Sequence, residues 1–180
     1  MKLPLLAALC TATLVLPCAA KPFDQTLDGG GFSVRVTSPN KAGENSVTLA
    51  PRGLKNVNDR LSVPTQNPVV RAFLADMDGD NSPELFVVLA NPGKESSGEV
   101  LAWSTNGKKS LTPIVIEEPA KKDLAGYAGH DEFEVMENTF VRRFPVYKNG
   151  ATTGGYRQFQ YKLKPGEATW KMKLVRVESF

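Results

Sequence analysis

Tyr156-Arg157-Gln158-Phe159-Gln160-Tyr161-Lys162-Leu163 decides the fold class. Arg157, Phe159, Tyr161 and Leu163 share one side of an extended chain, and Tyr156, Gln158, Gln160 and Lys162 share the other. A period of two belongs to a strand with one buried face; a helix would group residues three and four apart. The same alternation recurs outward from this stretch. Phe32, Val34 and Val36 oppose Ser33, Arg35 and Thr37, and Val47 and Leu49 repeat the pattern. Val100, Ala102 and Ser104 alternate with Leu101 and Trp103, and Phe133 and Val135 alternate with acids. Trp170, Met172 and Leu174 lie opposite Lys171 and Lys173. The run Leu85 to Leu89 is apolar on both faces, as expected of a central strand covered on both sides.

Turn chemistry separates these segments: Asp28 to Gly31, Asn40 to Gly43, Asn91-Pro92-Gly93, Asn106-Gly107, Asn149-Gly150 and Pro165-Gly166. Asn-Gly and Gly-Gly reach positive φ at little steric cost, and proline fixes the entry to a turn. Asn106-Gly107, between Trp103 and Leu111, reads as a hairpin. No stretch carries a helical stripe, although Pro119 to Ala125 has room for one short helical turn. The expectation is an all-β fold. It is a single antiparallel β-sandwich or barrel of roughly eight to ten strands over residues 21–180.

Residues 1–20 read as an export signal. Lys2 gives the positive start, Leu3 to Leu16 the apolar run, and Cys18-Ala19-Ala20 the small residues before cleavage after Ala20. The apolar run, roughly 14 residues, is short for a membrane span. Cys18 could be read as a lipoprotein cysteine, but Pro17 before it suits that pathway poorly. Both cysteines lie in this segment, so the mature chain would form no disulfide and must rely on its core. The formal charge of +3 falls to +2 when Lys2 is removed. That balance is too weak and too dispersed for a nucleic-acid-binding field. A periplasmic or secreted protein, off the membrane after signal cleavage, is expected. An exposed edge strand would offer a route to a homodimer.

Asp76-Met77-Asp78-Gly79-Asp80-Asn81-Ser82-Pro83-Glu84 is the sharpest local motif. Asp76, Asp78, Asp80 and Glu84 fall at positions one, three, five and nine of a tight turn, where their oxygens could converge on a hard cation such as Ca²⁺. The spacing resembles the calcium loop of integrin-type FG-GAP propeller blades, but a propeller needs several copies and there is one. It differs from an EF-hand in having Gly79 fourth and Val87 twelfth. Asp, Asn and Gly also build such turns without metal. No other feature calls for a cofactor.

His130 is the one histidine, which excludes a zinc site built mainly from histidine and cysteine. A triad would have to pair it with a neighbour such as Asp131, yet no Gly-x-Ser-x-Gly elbow exists. Asp131, Glu132 and Glu134 could supply two carboxylates for glycan hydrolysis, although Glu132 and Glu134 fall on one strand face in the usual solvated arrangement. Nothing in these residues demands an enzyme.

Gly126-Tyr127-Ala128-Gly129-His130-Asp131-Glu132-Phe133 and Val141-Arg142-Arg143-Phe144-Pro145-Val146-Tyr147 form a glycine loop running into two aromatic strands. With the acidic turn Asp76 to Glu84 before them and Gln158 to Leu163 and Gly166 to Lys171 after them, in the family's order over most of the mature chain, the chain resembles the periplasmic inhibitors of invertebrate-type (i-type) lysozymes of Gram-negative bacteria. That resemblance implies a β-sandwich that catalyses nothing and pushes polar loops into the lysozyme cleft. The family loop, rich in Ser and Gly, corresponds to Lys94-Glu95-Ser96-Ser97-Gly98, which lacks the family's tyrosine. Tyr127 could supply an aromatic hydroxyl from the second loop. The lysozyme-facing set implied is Ser96, Ser97, Gly98, Tyr127, His130 and Arg142. The other reading is an exported recognition or adhesion module stabilised by calcium at Asp76 to Glu84.

Overall fold

The computed structural model describes residues 20–41, 43–91 and 96–180. The expected export signal therefore lies outside the described residues except for Ala20, and so do Lys94 and Glu95. Two sheets pack face to face. The first is an antiparallel meander of β1 (Phe23–Gly29), β2 (Phe32–Ser38), β3 (Asn45–Arg52) and β4 (Leu61–Thr65). The second contains β5 (Val69–Ala75), β6 (Glu84–Ala90), β7 (Gly98–Ser104), β8 (Thr112–Ile116), β9 (Glu132–Met136), β10 (Thr139–Lys148), β11 (Ala151–Pro165) and β12 (Trp170–Ser179). Their order across the sheet is β5-β6-β7-β8-β12-β11-β10-β9. The short helical turn expected after Pro119 is a 3₁₀ turn at Lys121–Leu124. Among the described residues no helix is long and apolar enough to cross a membrane.

The all-β sandwich expected from alternation is present, with twelve strands among the described residues. The additional strands carry weak patterns. β1 is mostly polar and exposed, and β4 and β8 are five residues long and each contains a proline. Proline removes a ladder donor and suits short or marginal strands. The large sheet consists of two antiparallel meanders, β5 to β8 and β9 to β12, joined by one parallel pair. That pair aligns Trp170, Lys171 and Met172 with Ile114, Val115 and Ile116.

β6 organises both cores. Leu85, Val87 and Leu89 face the small sheet, where Phe32, Val34, Val36, Val47 and Leu49 meet them. Phe86 and Val88 point the opposite way, into a second core with Phe140, Phe144, Phe159, Tyr161 and Met172. The large sheet must therefore curl so that β9 to β11 close back over β6. An aromatic ladder follows the curl: Phe73 to Phe86 at 5.0 Å, Phe86 to Phe140 at 5.4 Å and Phe133 to Phe140 at 6.0 Å between ring centres. Each fully buried ring or branched side chain contributes on the order of 2 kcal/mol, so a core of this size can hold the fold without disulfides. Across the closing seam Arg71 of β5 meets Glu134 of β9 at 2.8 Å.

Candidate functional site

One end of the curled sheet gathers the six residues expected to face lysozyme. The β6–β7 loop is pinched at its neck, where the Asn91 N–H donates to the Ser97 carbonyl at 3.0 Å. Ser96 and Ser97 are half-buried there. A second loop, between the 3₁₀ turn and β9, lies alongside. The His130 N–H donates to the Ser96 carbonyl at 2.9 Å, which ties the two loops together. His130 itself is exposed, with φ of 61°, a left-handed geometry uncommon for a residue bearing a Cβ. Its ring lies 6.1 Å from that of Tyr147. Together with Gly126, Tyr127 and Ala128, these rings line a hollow of about 330 Å³.

Asp131 holds this end together. Its Oδ2 accepts from the Gly98 N–H at 2.7 Å and from the Tyr127 hydroxyl at 2.5 Å, and its Oδ1 accepts from Arg142 Nε at 2.7 Å. The carboxylate side chain is 0% exposed and that of Arg142 is 16% exposed. A buried carboxylate is tolerable when donors and a counter-charge surround it, and here both are present. Burial works against the charge on Arg142, but Asp131 outweighs it and raises the guanidinium pKa. Burial, reinforced by Asp131, pushes the Tyr127 hydroxyl up to about 12, so it stays a donor at physiological pH. The Arg142 guanidinium also lies over the rings of Tyr127, at 5.2 Å, and Phe144, at 5.8 Å.

Glycine is required at two points. A Cβ on Gly98 would lie 2.8 Å from Asp131 Cβ and nearer still to the Phe133 ring. Gly126 has φ of 79°, and a Cβ there would lie 2.8 Å from the Tyr147 carbonyl oxygen. Both let loop backbone pack directly on β9 and β10.

Strand geometry separates the arginine pair. Arg142 turns inward to Asp131, whereas Arg143 turns outward and pairs with Glu132 on the exposed face. Arg142 is thus placed to position the loops rather than to reach a partner's rim. Asp131, one residue from the lone histidine, has its oxygens committed to loop and strand donors. Its role as hub has a faint signal in the sequence, an acid four residues after Tyr127 just before a strand, but its other two contacts, Gly98 and Arg142, come from other segments.

The acidic turn lies elsewhere, between β5 and β6. One oxygen each from Asp76, Asp78 and Glu84 falls within 4.8 Å of the others. Asp80 stands apart from this group and caps the turn, accepting from the Ser82 N–H at 2.7 Å. Asp76 accepts from the N–H groups of Gly79 and Asn81, both at 2.9 Å. Glu84 is 1% exposed, with Oε2 accepting from the Met77 N–H at 3.0 Å and Oε1 from the Ser104 hydroxyl at 3.3 Å. Burial is the main cause that pushes its pKa up to about 7, with the charges of Asp78 and Asp80 adding to it. Asp78 is also raised, first by burial and then by Asp80. Three convergent oxygens of this hardness would suit Ca²⁺.

No protein-family model, curated protein or solved structure matches this chain.

Proposed function

We propose that this chain is an exported, periplasmic inhibitor of i-type lysozyme, which it blocks with the β6–β7 loop and the adjoining glycine loop. One observation carries the reading: Gly98, Tyr127 and Arg142, from three segments of the chain, meet at Asp131, and a backbone hydrogen bond from His130 to Ser96 ties the two loops beside them. A loop held before binding loses little entropy on docking. Hydroxyl and amide donors can meet the two carboxyls of a lysozyme cleft without the desolvation penalty of a full charge. In this reading Ser96, Ser97 and His130 touch the enzyme, while Arg142 and Tyr127 hold the loops in place. No catalytic residue is called for.

Titrating the protein against an i-type lysozyme tests this. Loss of lysozyme activity at equimolar protein is expected, and undiminished activity at saturating protein would refute it.

A second reading, a recognition or adhesion module stabilised by calcium, draws support from the convergence of Asp76, Asp78 and Glu84. It expects a large melting shift in Ca²⁺ and no effect on lysozyme.

A further inference from the structure

The large sheet is split between β7 and β8. Their antiparallel register contains only Trp103 with Pro113 and Ser104 with Thr112. Beyond that point β7 stays paired with β6 as far as Ala90 with Gly98, and β8 stays paired with β12 through Ile114, Val115 and Ile116. Each strand therefore turns an edge without a ladder toward the other. Pro113 explains where the split begins, since proline cannot donate to a ladder.

The split opens into a cleft of about 520 Å³, reaching inward to the Phe133 and Phe140 rings. Tyr161 lines it and is 1% exposed, and its hydroxyl has no hydrogen-bond partner among the described residues. The charged residues lining the cleft are Glu99, Glu117, Glu118 and Arg142. Arg142 is neutralised by Asp131, and Glu117 accepts from the Leu174 N–H. Glu99 and Glu118 are exposed and have no ion-pair partner among the described residues. The cleft is thus acidic at its mouth, aromatic at its floor and edged by backbone.

We propose that this cleft receives one short extended segment of a partner protein, carrying Lys or Arg, which adds as a strand along Glu99 to Ala102 of β7, beyond the Gly98 N–H that Asp131 already occupies. Strand addition draws affinity from main-chain hydrogen bonds, and selectivity from alternate side chains. Basic side chains of the segment meet Glu99 and Glu118, and a segment carbonyl accepts from Tyr161. The cleft borders the loop end assigned to lysozyme and shares Gly98 and Arg142 with it, but the strand-addition reading does not depend on that assignment.

The probe is the blocked peptide acetyl-Lys-Val-Lys-Val-Lys-amide, titrated into the full protein and followed by backbone amide resonances and calorimetry. Saturable shifts at residues 98–102 and 114–118 are expected. The Glu-for-Lys peptide should bind about tenfold more weakly, since like charges would face each other at the mouth. N-methylation of alternate peptide amides should weaken binding about fivefold or more for each lost hydrogen bond. The exposed double variant Glu99→Gln/Glu118→Gln should retain its fold and lose about fivefold. Absence of binding, equal binding of the N-methylated peptide, or shifts confined to other strands would overturn the proposal. So would saturation by a simple amphiphile such as octanoate with no response to the peptide, which would mark the cleft as a small-molecule site.

Discussion

Asp131 and Glu84 are both buried carboxylates at the start of or just before a strand, yet they are held in opposite ways. Asp131 has a guanidinium, a phenol and a backbone amide around it. Glu84 has a backbone amide and a more distant serine hydroxyl, and its charged neighbours Asp78 and Asp80 are themselves acidic. One end is electrostatically closed, while at the other Glu84 has no ion-pair partner among the described residues. The Asp131 end is charge-compensated by its own residues, whereas the Glu84 end invites a cation.

The largest effect expected follows from opening the closed end. Asp131→Ala leaves Arg142 buried without its counter-charge and should lower stability by about 3–5 kcal/mol, measured by urea unfolding at pH 7. The double variant Asp131→Leu/Arg142→Met should recover much of that loss, because it removes both charges together.

Glu84 gives the next effect, with a definite sign. The folded protein holds its proton up to about 7, whereas the ordinary value is near 4.5. Between these values the native state binds more protons than the unfolded chain, so stability falls as pH rises through the window. The fall from this group is about 3 kcal/mol. Unfolding measured from pH 4 to 8 should show it, and Glu84→Gln should flatten it. Calcium should offset the same loss, raising the melting temperature more at pH 8 than at pH 5, because the ion needs the ionised carboxylate.

Smaller changes sharpen the contrast at the loops and the surface. Ser97→Lys should weaken lysozyme inhibition while leaving stability within about 0.5 kcal/mol, since the side chain sits at a half-buried loop neck. Glu132→Gln removes the exposed partner of Arg143 and should change stability by about 0.5 kcal/mol or less. Two adjacent arginines thus differ several-fold in what their partners contribute, according to the strand face each occupies.

Alternation made much of this fold legible. It placed β2, β11 and the doubly covered β6, because a period of two records which side chains avoid water. It could not say what each face would meet. The curl that carries Phe140 onto Phe86, and the parallel pairing of β8 with β12, depend on partners far along the chain. At the loop end, glycine and aromatic residues drew attention to 126–133, but a carboxylate at 131 looks like its exposed neighbours Glu132 and Glu134 until Arg142 and Gly98 are brought to it. The acidic turn was easier, since its residues are local. Even there Asp80 leaves the group, because its side chain caps the Ser82 amide.

In the proposed inhibitor the Asp131 end, and not the Glu84 end, meets lysozyme. Titrating an i-type lysozyme with the wild-type protein, Ser97→Lys and Glu84→Gln tests it most directly. Equimolar inhibition by wild type and Glu84→Gln, with clear weakening in Ser97→Lys, is the predicted result. A lysozyme unaffected by wild type, or weakened inhibition by Glu84→Gln with Ser97→Lys unchanged, would contradict it.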